Sequence, residues 1–160
     1  MTETSNRTSL SVGISTAFTA TVTGGVGPYT YAWSVGNTAI GTTNPIDYTF
    51  STAGTYWVNV TVTDSLGVTP TAAVEYTVTN APTAAVVASQ SATDVGLTLS
   101  FSGTVQGGTS PYNYTWYVAG VLSGYGSSFD HLFSATGTVV VELTVRDASG
   151  LTSSTSVAWS

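Results

Sequence analysis

The chain has 160 residues, and only 6% of them are charged, against about 25% in an average soluble domain. Eight acidic residues face two cations, Arg7 and Arg146, and the sequence contains neither lysine nor cysteine. Two arginines cannot neutralise a phosphate backbone, which excludes nucleic acid as a partner, and the lack of cysteine excludes disulfides and thiolate metal sites. No apolar run approaches the roughly 20 residues of a membrane-spanning helix, so we predict no membrane insertion.

In chain order, three segments of the first half alternate apolar and polar residues with a period of two. This alternation is typical of half-buried antiparallel strands. The apolar positions are Val12, Ile14, Phe18 and Val22, then Tyr29, Tyr31, Trp33 and Val35, and then Tyr56, Val58, Val60 and Val62. Clusters of Gly, Pro, Asn and Ser separate these segments, and no helical periodicity appears. The pattern predicts an all-β fold.

The second half repeats the first at an offset of 83 residues, without a gap. Residues 11–77 align with 94–160, so Pro28-Tyr29 matches Pro111-Tyr112 and Trp33 matches Trp116. By the same alternation we expect Val95, Leu97, Leu99 and Phe101 to share one inward face. A period this long predicts two tandem domains, 1–80 and 81–160, each with its own core. About seven short strands per copy indicate an immunoglobulin-like β-sandwich.

One tryptophan in each copy, Trp33 or Trp116, lies on the strand after the glycine-rich turn. The chain has no cysteine pair for it to pack against, so we predict that these two side chains hold the sheets together by packing alone. A short linker containing a proline joins the copies at 79–83. Copy two begins with an apolar strand at 84–89, whereas copy one begins with the polar residues Thr2–Ser5. We therefore expect the chain to be an excerpt of a longer protein with further modules.

The segment from Tyr48 to Gly67 reads YTFSTAGTYWVNVTVTDSLG, and Phe133–Gly150 follows the same pattern more loosely. Together with the Pro-Tyr-x-Tyr-x-Trp runs at 28–33 and 111–116, it resembles the PKD (polycystic kidney disease) domain family. The acidic residues that follow the tryptophan in that family are missing here. The resemblance implies an immunoglobulin-like sandwich, an extracellular or cell-surface location, and a prokaryotic, specifically archaeal, surface protein.

No catalytic, cofactor or metal residues are predicted. His131 is the single histidine, and it aligns with Tyr48, so we interpret it as structural. Asp64 and Asp147 precede turns that their side chains can cap. Calcium at the five aspartates is a weak alternative, because a calcium site needs six to eight oxygen ligands. The glycine-rich run at 24–27 lacks the lysine of a phosphate-binding loop and is interpreted as a turn.

Two kinds of surface site are possible. Three N-x-Ser/Thr sequons, at Asn6, Asn59 and Asn113, are candidates for glycosylation. Trp57 points outward by its position in the alternation, where it can stack on a sugar ring or a neighbouring module. Val140 replaces Trp57 in the second copy, so this contact is not common to both repeats.

Two functions fit these observations. The first is a non-enzymatic structural or adhesion segment, formed by tandem spacer modules of an S-layer or adhesin-like surface protein. Its partners are neighbouring modules of the same protein, and surface proteins or glycans are further candidates. The alternative is a glycan- or protein-binding accessory module of a secreted enzyme. An activity of its own is not predicted, because no acid–base or metal constellation is present.

Overall fold

A computed structural model describes residues 1–7, 9–90 and 94–159 of the chain. The chain divides into two compact units, Met1–Asn80 and Ala81–Ser160, named module 1 and module 2 here. The described residues form strands, turns and loops and contain no helix. The prediction of an all-β fold is confirmed.

Within residues 1–7 and 9–80, module 1 contains eight strands in two sheets. Three of them form one sheet in the order β1-β3-β6, and five form the other in the order β2-β8-β7-β4-β5. All neighbours are antiparallel except β2, which runs parallel to β8. The strands are β1 Thr2–Ser5, β2 Leu10–Ser11, β3 Ser15–Thr21, β4 Thr30–Val35, β5 Thr38–Gly41, β6 Ile46–Thr49, β7 Gly54–Thr63 and β8 Thr71–Thr79.

The described part of module 2, residues 81–90 and 94–159, has a similar arrangement with seven strands. One sheet has the order β13-β10-β9 and the other the order β12-β11-β14-β15. The strands are β9 Thr83–Ala88, β10 Thr98–Gln106, β11 Asn113–Val118, β12 Val121–Tyr125, β13 Ser128–Leu132, β14 Val139–Arg146 and β15 Thr152–Trp159.

Each module has its own core between its two sheets. In module 1 the inward residues of β7 are Val58, Val60 and Val62, which belong to one buried cluster with Trp33 of β4 and Phe18 of β3. In module 2 the corresponding residues are Val141, Leu143, Val145, Trp116 and Phe101. Alternate residues on a strand point to opposite faces, so the period-two pattern of the sequence places these side chains inside.

The polar residues at the start of the chain form a strand in the place where copy two has an apolar one. Residues Thr2–Ser5 form β1, which pairs antiparallel with β3 in the register Glu3 to Ala20. The matching pair in module 2 is Val86 with Gly103. Strands pair through hydrogen bonds between backbone groups, so a pairing strand needs no apolar side chains. The buried polar side chain on this strand, Glu3, has a hydrogen-bond partner in Tyr76.

The expectation that Val95 and Leu97 point inward is wrong, because both side chains are about half exposed. Gly96 between them has a φ of +89°, and its N–H donates to the carbonyl of Phe133 at 2.7 Å. The chain turns at this point, and β10 begins only at Thr98. The alternation of a strand therefore does not extend back to these two residues.

Candidate functional site

Trp33 and Trp116 lie at equivalent places in the two cores and are almost completely buried. They differ in one hydrogen bond. The indole Nε1–H of Trp116 donates to the carbonyl of Gly126 at 2.9 Å. The Nε1–H of Trp33 is buried and has no hydrogen-bond partner among the described residues. Both tryptophans are held by the packing of two sheets and take part in no open site.

Asp64 joins two loops at one end of module 1. Its Oδ1 accepts hydrogen bonds from the backbone N–H groups of Leu66 at 3.0 Å and Val68 at 2.9 Å. Its Oδ2 accepts from the N–H of Val26, in the glycine-rich turn, at 3.3 Å. The backbone hydrogen bond from Val68 has the largest effect and lowers the pKa of Asp64. Desolvation opposes it, and the other backbone donors lower the pKa further.

Asp147 does the same in module 2, where its side chain is buried. Its Oδ1 accepts from the N–H of Leu151 at 2.9 Å, and its Oδ2 accepts from the N–H of Thr109 at 3.1 Å and from the hydroxyl of Ser149 at 3.1 Å. Beside it, Gly108 has a φ of +69°, and a Cβ there would lie 3.1 Å from Oδ2. The carboxylate thus reaches a backbone that only glycine brings close enough.

A buried acid–phenol pair in module 1 has no counterpart in the sequence analysis. Glu3 of β1 is 7% exposed, and its Oε1 accepts a hydrogen bond from the hydroxyl of Tyr76 at 3.0 Å. Burial raises the pKa of Glu3, opposed by that hydrogen bond. Burial, together with the nearby charge of Glu3, raises the pKa of Tyr76 to about 12. The sequence contained one indication of this pair, because Glu3 is an acid at the position where the second copy has Val86.

The outer face of the larger sheet of module 1 presents Trp57. Its side chain is 51% exposed, and across the strand pair it lies opposite Glu75 of β8. Asn59 follows on the same face of β7. The structure therefore places an aromatic ring beside an acid and an amide on an open surface. Trp57 thus presents an accessible aromatic face on this sheet.

Module 2 carries a different outer face, which the sequence analysis did not single out. Tyr117 of β11 lies opposite Glu142 on one side and Leu122 on the other. Tyr125 of β12 is 71% exposed, and Val140 replaces the tryptophan of module 1. Two tyrosines and two aliphatic residues thus cover the part of this sheet nearest to β12.

The three sequons lie in different surroundings. Asn6 is exposed, and its Oδ1 accepts a hydrogen bond from the N–H of Ala17 at 3.0 Å, while Thr8 of this sequon lies outside the described residues. Asn59 is half-buried, and its Nδ2 donates to the carbonyl of Gly36 at 3.3 Å. Asn113 is exposed at the start of β11, opposite Arg146.

The single histidine lies among aromatic rings. His131 is half-buried and its ring meets Phe133 edge-on at 4.8 Å, just as Tyr48 meets Phe50 at 4.9 Å in module 1. Across residues 1–7, 9–90 and 94–159, no three His, Asp or Glu side chains lie close enough together to hold a metal ion. The same residues include no helix of the length and apolar character needed to span a membrane.

The sequence matches the profile of the PKD domain twice, over residues 2–78 and 79–159. Among solved structures, it is similar to the fibronectin(III)-like modules of Clostridium thermocellum CbhA, with 16% identity and a TM-score of 0.53 over 99% of this chain and 93% of that one. It is also similar to three N-terminal domains of the highly immunogenic outer capsid protein of bacteriophage RB49. That match has 17% identity and a TM-score of 0.58 over 98% of this chain and 57% of that one.

At such identities the two solved structures support the fold alone. They agree with the β-sandwich architecture of both modules. No curated protein sequence matches the chain. The function must therefore be argued from the residues and surfaces of the two modules themselves.

Proposed function

Since the chain belongs to the PKD domain family and carries that domain twice in tandem, we propose that it is a non-enzymatic structural segment of a cell-surface protein, of the S-layer or adhesin type. In this role each module is a folded spacer that separates or links other domains. Neighbouring modules of the same protein are its principal partners. The observation that carries the proposal is that each module closes its own aromatic and aliphatic core.

The use of the acidic side chains supports this role. Asp64 and Asp147 each accept several hydrogen bonds and tie two loops of a sandwich together. Glu3 is buried against Tyr76 inside module 1. An enzyme that transfers protons needs such groups to open onto a substrate site. In this chain Asp64 and Asp147 hold turns, and Glu3 is enclosed within the sandwich.

The composition of the surface supports an exterior location. Thr and Ser make up 52 of the 160 residues, and they occupy much of the outward positions of β7, β8, β10 and β15. Hydroxyl groups keep such strands hydrated without charge. Asn113, exposed on β11, is the sequon whose side chain is best placed for a glycan in a host that modifies surface proteins.

Single-molecule force spectroscopy of the whole chain tests the spacer role. Two separate unfolding steps are expected, each releasing about 240 Å, because roughly 80 residues extend to about 270 Å and a folded sandwich already spans part of that length. Trp33→Ala should weaken one step and leave the other unchanged, and Trp116→Ala should do the reverse. Gradual extension without two resisting steps would contradict the proposal.

The exposed Trp57 favours a second candidate function, a glycan-binding accessory module of a secreted enzyme. A ring that is half exposed beside Glu75 and Asn59 offers one stacking surface and two hydrogen-bonding groups. Pull-down on insoluble polysaccharides and a glycan array distinguish the two functions. Binding that is lost in Trp57→Ala, but kept in the matched control Val140→Ala, would favour the accessory role. Equal retention of all three proteins at background level favours the spacer.

A further inference from the structure

A pocket of about 180 Å³ opens at one end of module 2. Its walls include Phe133, just after β13, and Trp159, at the end of β15. Ala135 and Gly137 line it from the loop that leads into β14, and Val95 lines it from the turn before β10. Asp94 and Thr136 complete the lining. Aromatic and aliphatic groups supply the larger share of it, so the pocket suits a guest that is mainly apolar.

In module 1 the equivalent space is filled by a side chain. The offset of 83 residues makes Phe133, Ala135, Gly137 and Trp159 the counterparts of Phe50, Thr52, Gly54 and Tyr76. The ring of Tyr56 lies 4.8 Å from the ring of Phe50 and packs against Gly54. Its hydroxyl lies 2.7 Å from the Oγ1 of Thr52 and donates to the carbonyl of the same residue at 3.0 Å. In module 1 the corresponding space therefore holds a phenol ring.

Module 2 lacks that ring because Val139 stands at the position of Tyr56. The pairing is the same in both modules, with Tyr56 opposite Tyr76 and Val139 opposite Trp159. The strand register is thus the same in both modules, and the side chain of Val139 in module 2 is smaller than that of Tyr56 in module 1. A cavity of about 150 Å³ lined by apolar groups is large enough to bind benzene. The pocket of module 2 therefore has room for a single aromatic ring.

Exposed apolar side chains lie close to the pocket along the chain. Val95 lines it, Leu97 follows two residues later, and Leu132 directly precedes the lining residue Phe133; all three are about half exposed. The N–H of Phe133 donates to the carbonyl of Leu97 at 3.0 Å, which holds the backbone of Leu97 beside Phe133. In module 1, by contrast, Val12 and Ile14 are half-buried or better covered, and Thr49 stands at the position of Leu132.

We propose that this pocket binds one aromatic side chain, of tyrosine or phenylalanine, from a protein partner. The precedent of Tyr56 argues for a ring of this size in the pocket. The exposed Val95 in the lining, with Leu97 two residues further along the chain, argues for a polypeptide, since residues on either side of the ring would cover apolar surface that a free phenol would leave in water. A buried ring surrounded by apolar contacts that exclude water is the usual centre of a protein interface.

The test uses the whole chain labelled with ¹⁵N and three probes: p-cresol, the peptide acetyl-Ala-Tyr-Ala-amide, and acetyl-Ala-Ala-Ala-amide as the control. The indole cross-peak of Trp159 is the readout, because this residue forms a wall of the pocket. The tyrosine peptide should shift it saturably, about five-fold more tightly than p-cresol, because the peptide also covers the exposed apolar surface of Val95. The alanine peptide should leave it unchanged.

Two reciprocal variants decide whether the pocket is the binding place. Val139→Tyr restores the ring of module 1 and should weaken peptide binding by about ten-fold or more. Tyr56→Val should create a second site, seen as new peptide-induced shifts of the Phe50 and Gly54 amides. Unchanged binding in Val139→Tyr would overturn the proposal. So would the absence of binding to both the parent and Tyr56→Val, or p-cresol binding as tightly as the tyrosine peptide, which would indicate a small phenol as the guest.

Discussion

The two buried tryptophans allow a matched test of one hydrogen bond in a repeated core. We expect Trp116→Phe to destabilise module 2 more than Trp33→Phe destabilises module 1. Both side chains are buried, and both substitutions remove the same part of an indole ring from a similar place. The difference between them is that Trp116 donates to the carbonyl of Gly126, whereas the Nε1–H of Trp33 has no partner among the described residues.

The magnitude follows from three contributions. The lost ring burial costs about 1–2 kcal/mol in either module. Trp116→Phe also loses a hydrogen bond with a net value of about 1 kcal/mol. Trp33→Phe instead removes a buried, unpaired donor whose desolvation costs about 1–3 kcal/mol in the folded state. Trp116→Phe should therefore cost about 2–3 kcal/mol, and Trp33→Phe should lie between about −2 and +1 kcal/mol.

The assay is urea unfolding of the whole chain followed by ¹H–¹⁵N spectra, in which separate cross-peaks give the free energy of unfolding of each module. Trp33→Ala and Trp116→Ala are the controls, and each should cost about 3–5 kcal/mol because the cavity then dominates. If Trp33→Phe cost as much as Trp116→Phe, the unpaired donor would contribute nothing, and the reasoning from the hydrogen bond would be wrong.

Three further predictions follow from particular contacts. Gly103→Ala should cost module 2 about 1–3 kcal/mol in the same urea assay, because its Cβ would lie 2.6 Å from the side chain of Leu143; a cost near zero would show that Leu143 yields freely. Burial raises the pKa of Glu3. The stability that Glu3 contributes is therefore fully present below its pKa in the unfolded chain, and it is lost as pH rises through its pKa in the folded chain. Glu3→Gln should therefore raise the melting temperature of module 1 at pH 7 and leave it unchanged at pH 3; an equal effect at both would refute the ionisation argument. Asp64 has the opposite pH dependence, because its pKa is lowered in the folded chain. The stability that it contributes is lost as pH falls through that folded pKa. With two arginines to repel one another in acid, the whole chain should melt at pH 2 no more than about 15 °C below its melting temperature at pH 6, and a larger drop by circular dichroism would contradict this.

The composition and spacing of the sequence were enough to predict much of the fold. Alternation in Tyr56–Val62 depends on the two-residue period of a strand, which holds in any sheet, so the inward and outward residues of β7 follow directly. The offset of 83 residues then transfers the same assignment to β14. The family resemblance rests on those same residues, and the matches over 2–78 and 79–159 confirm it.

The sequence was a poor guide where a segment lacks the alternation or where a turn interrupts it. Thr2–Ser5 contains no apolar residue, yet it pairs with β3 because the backbone supplies the hydrogen bonds and Tyr76 satisfies one oxygen of Glu3. Val95 and Leu97 have the spacing of a strand, yet Gly96 turns the chain between them. The sequence around Glu3 carries no information about Tyr76, its hydrogen-bond partner far along the chain.

The sequence by itself thus determined the class of fold, the repeat, the identity of the core strands and the outward position of Trp57. Only the tertiary structure decided which polar groups are buried together and where space is left between side chains. Tyr56 and Val139 take the same place in the alternation of their strands, yet module 1 has a phenol ring beside Phe50 and module 2 has a pocket beside the corresponding Phe133. The physical reason is that alternation reports which face a side chain takes, whereas a cavity depends on the volumes of several side chains that meet from distant strands.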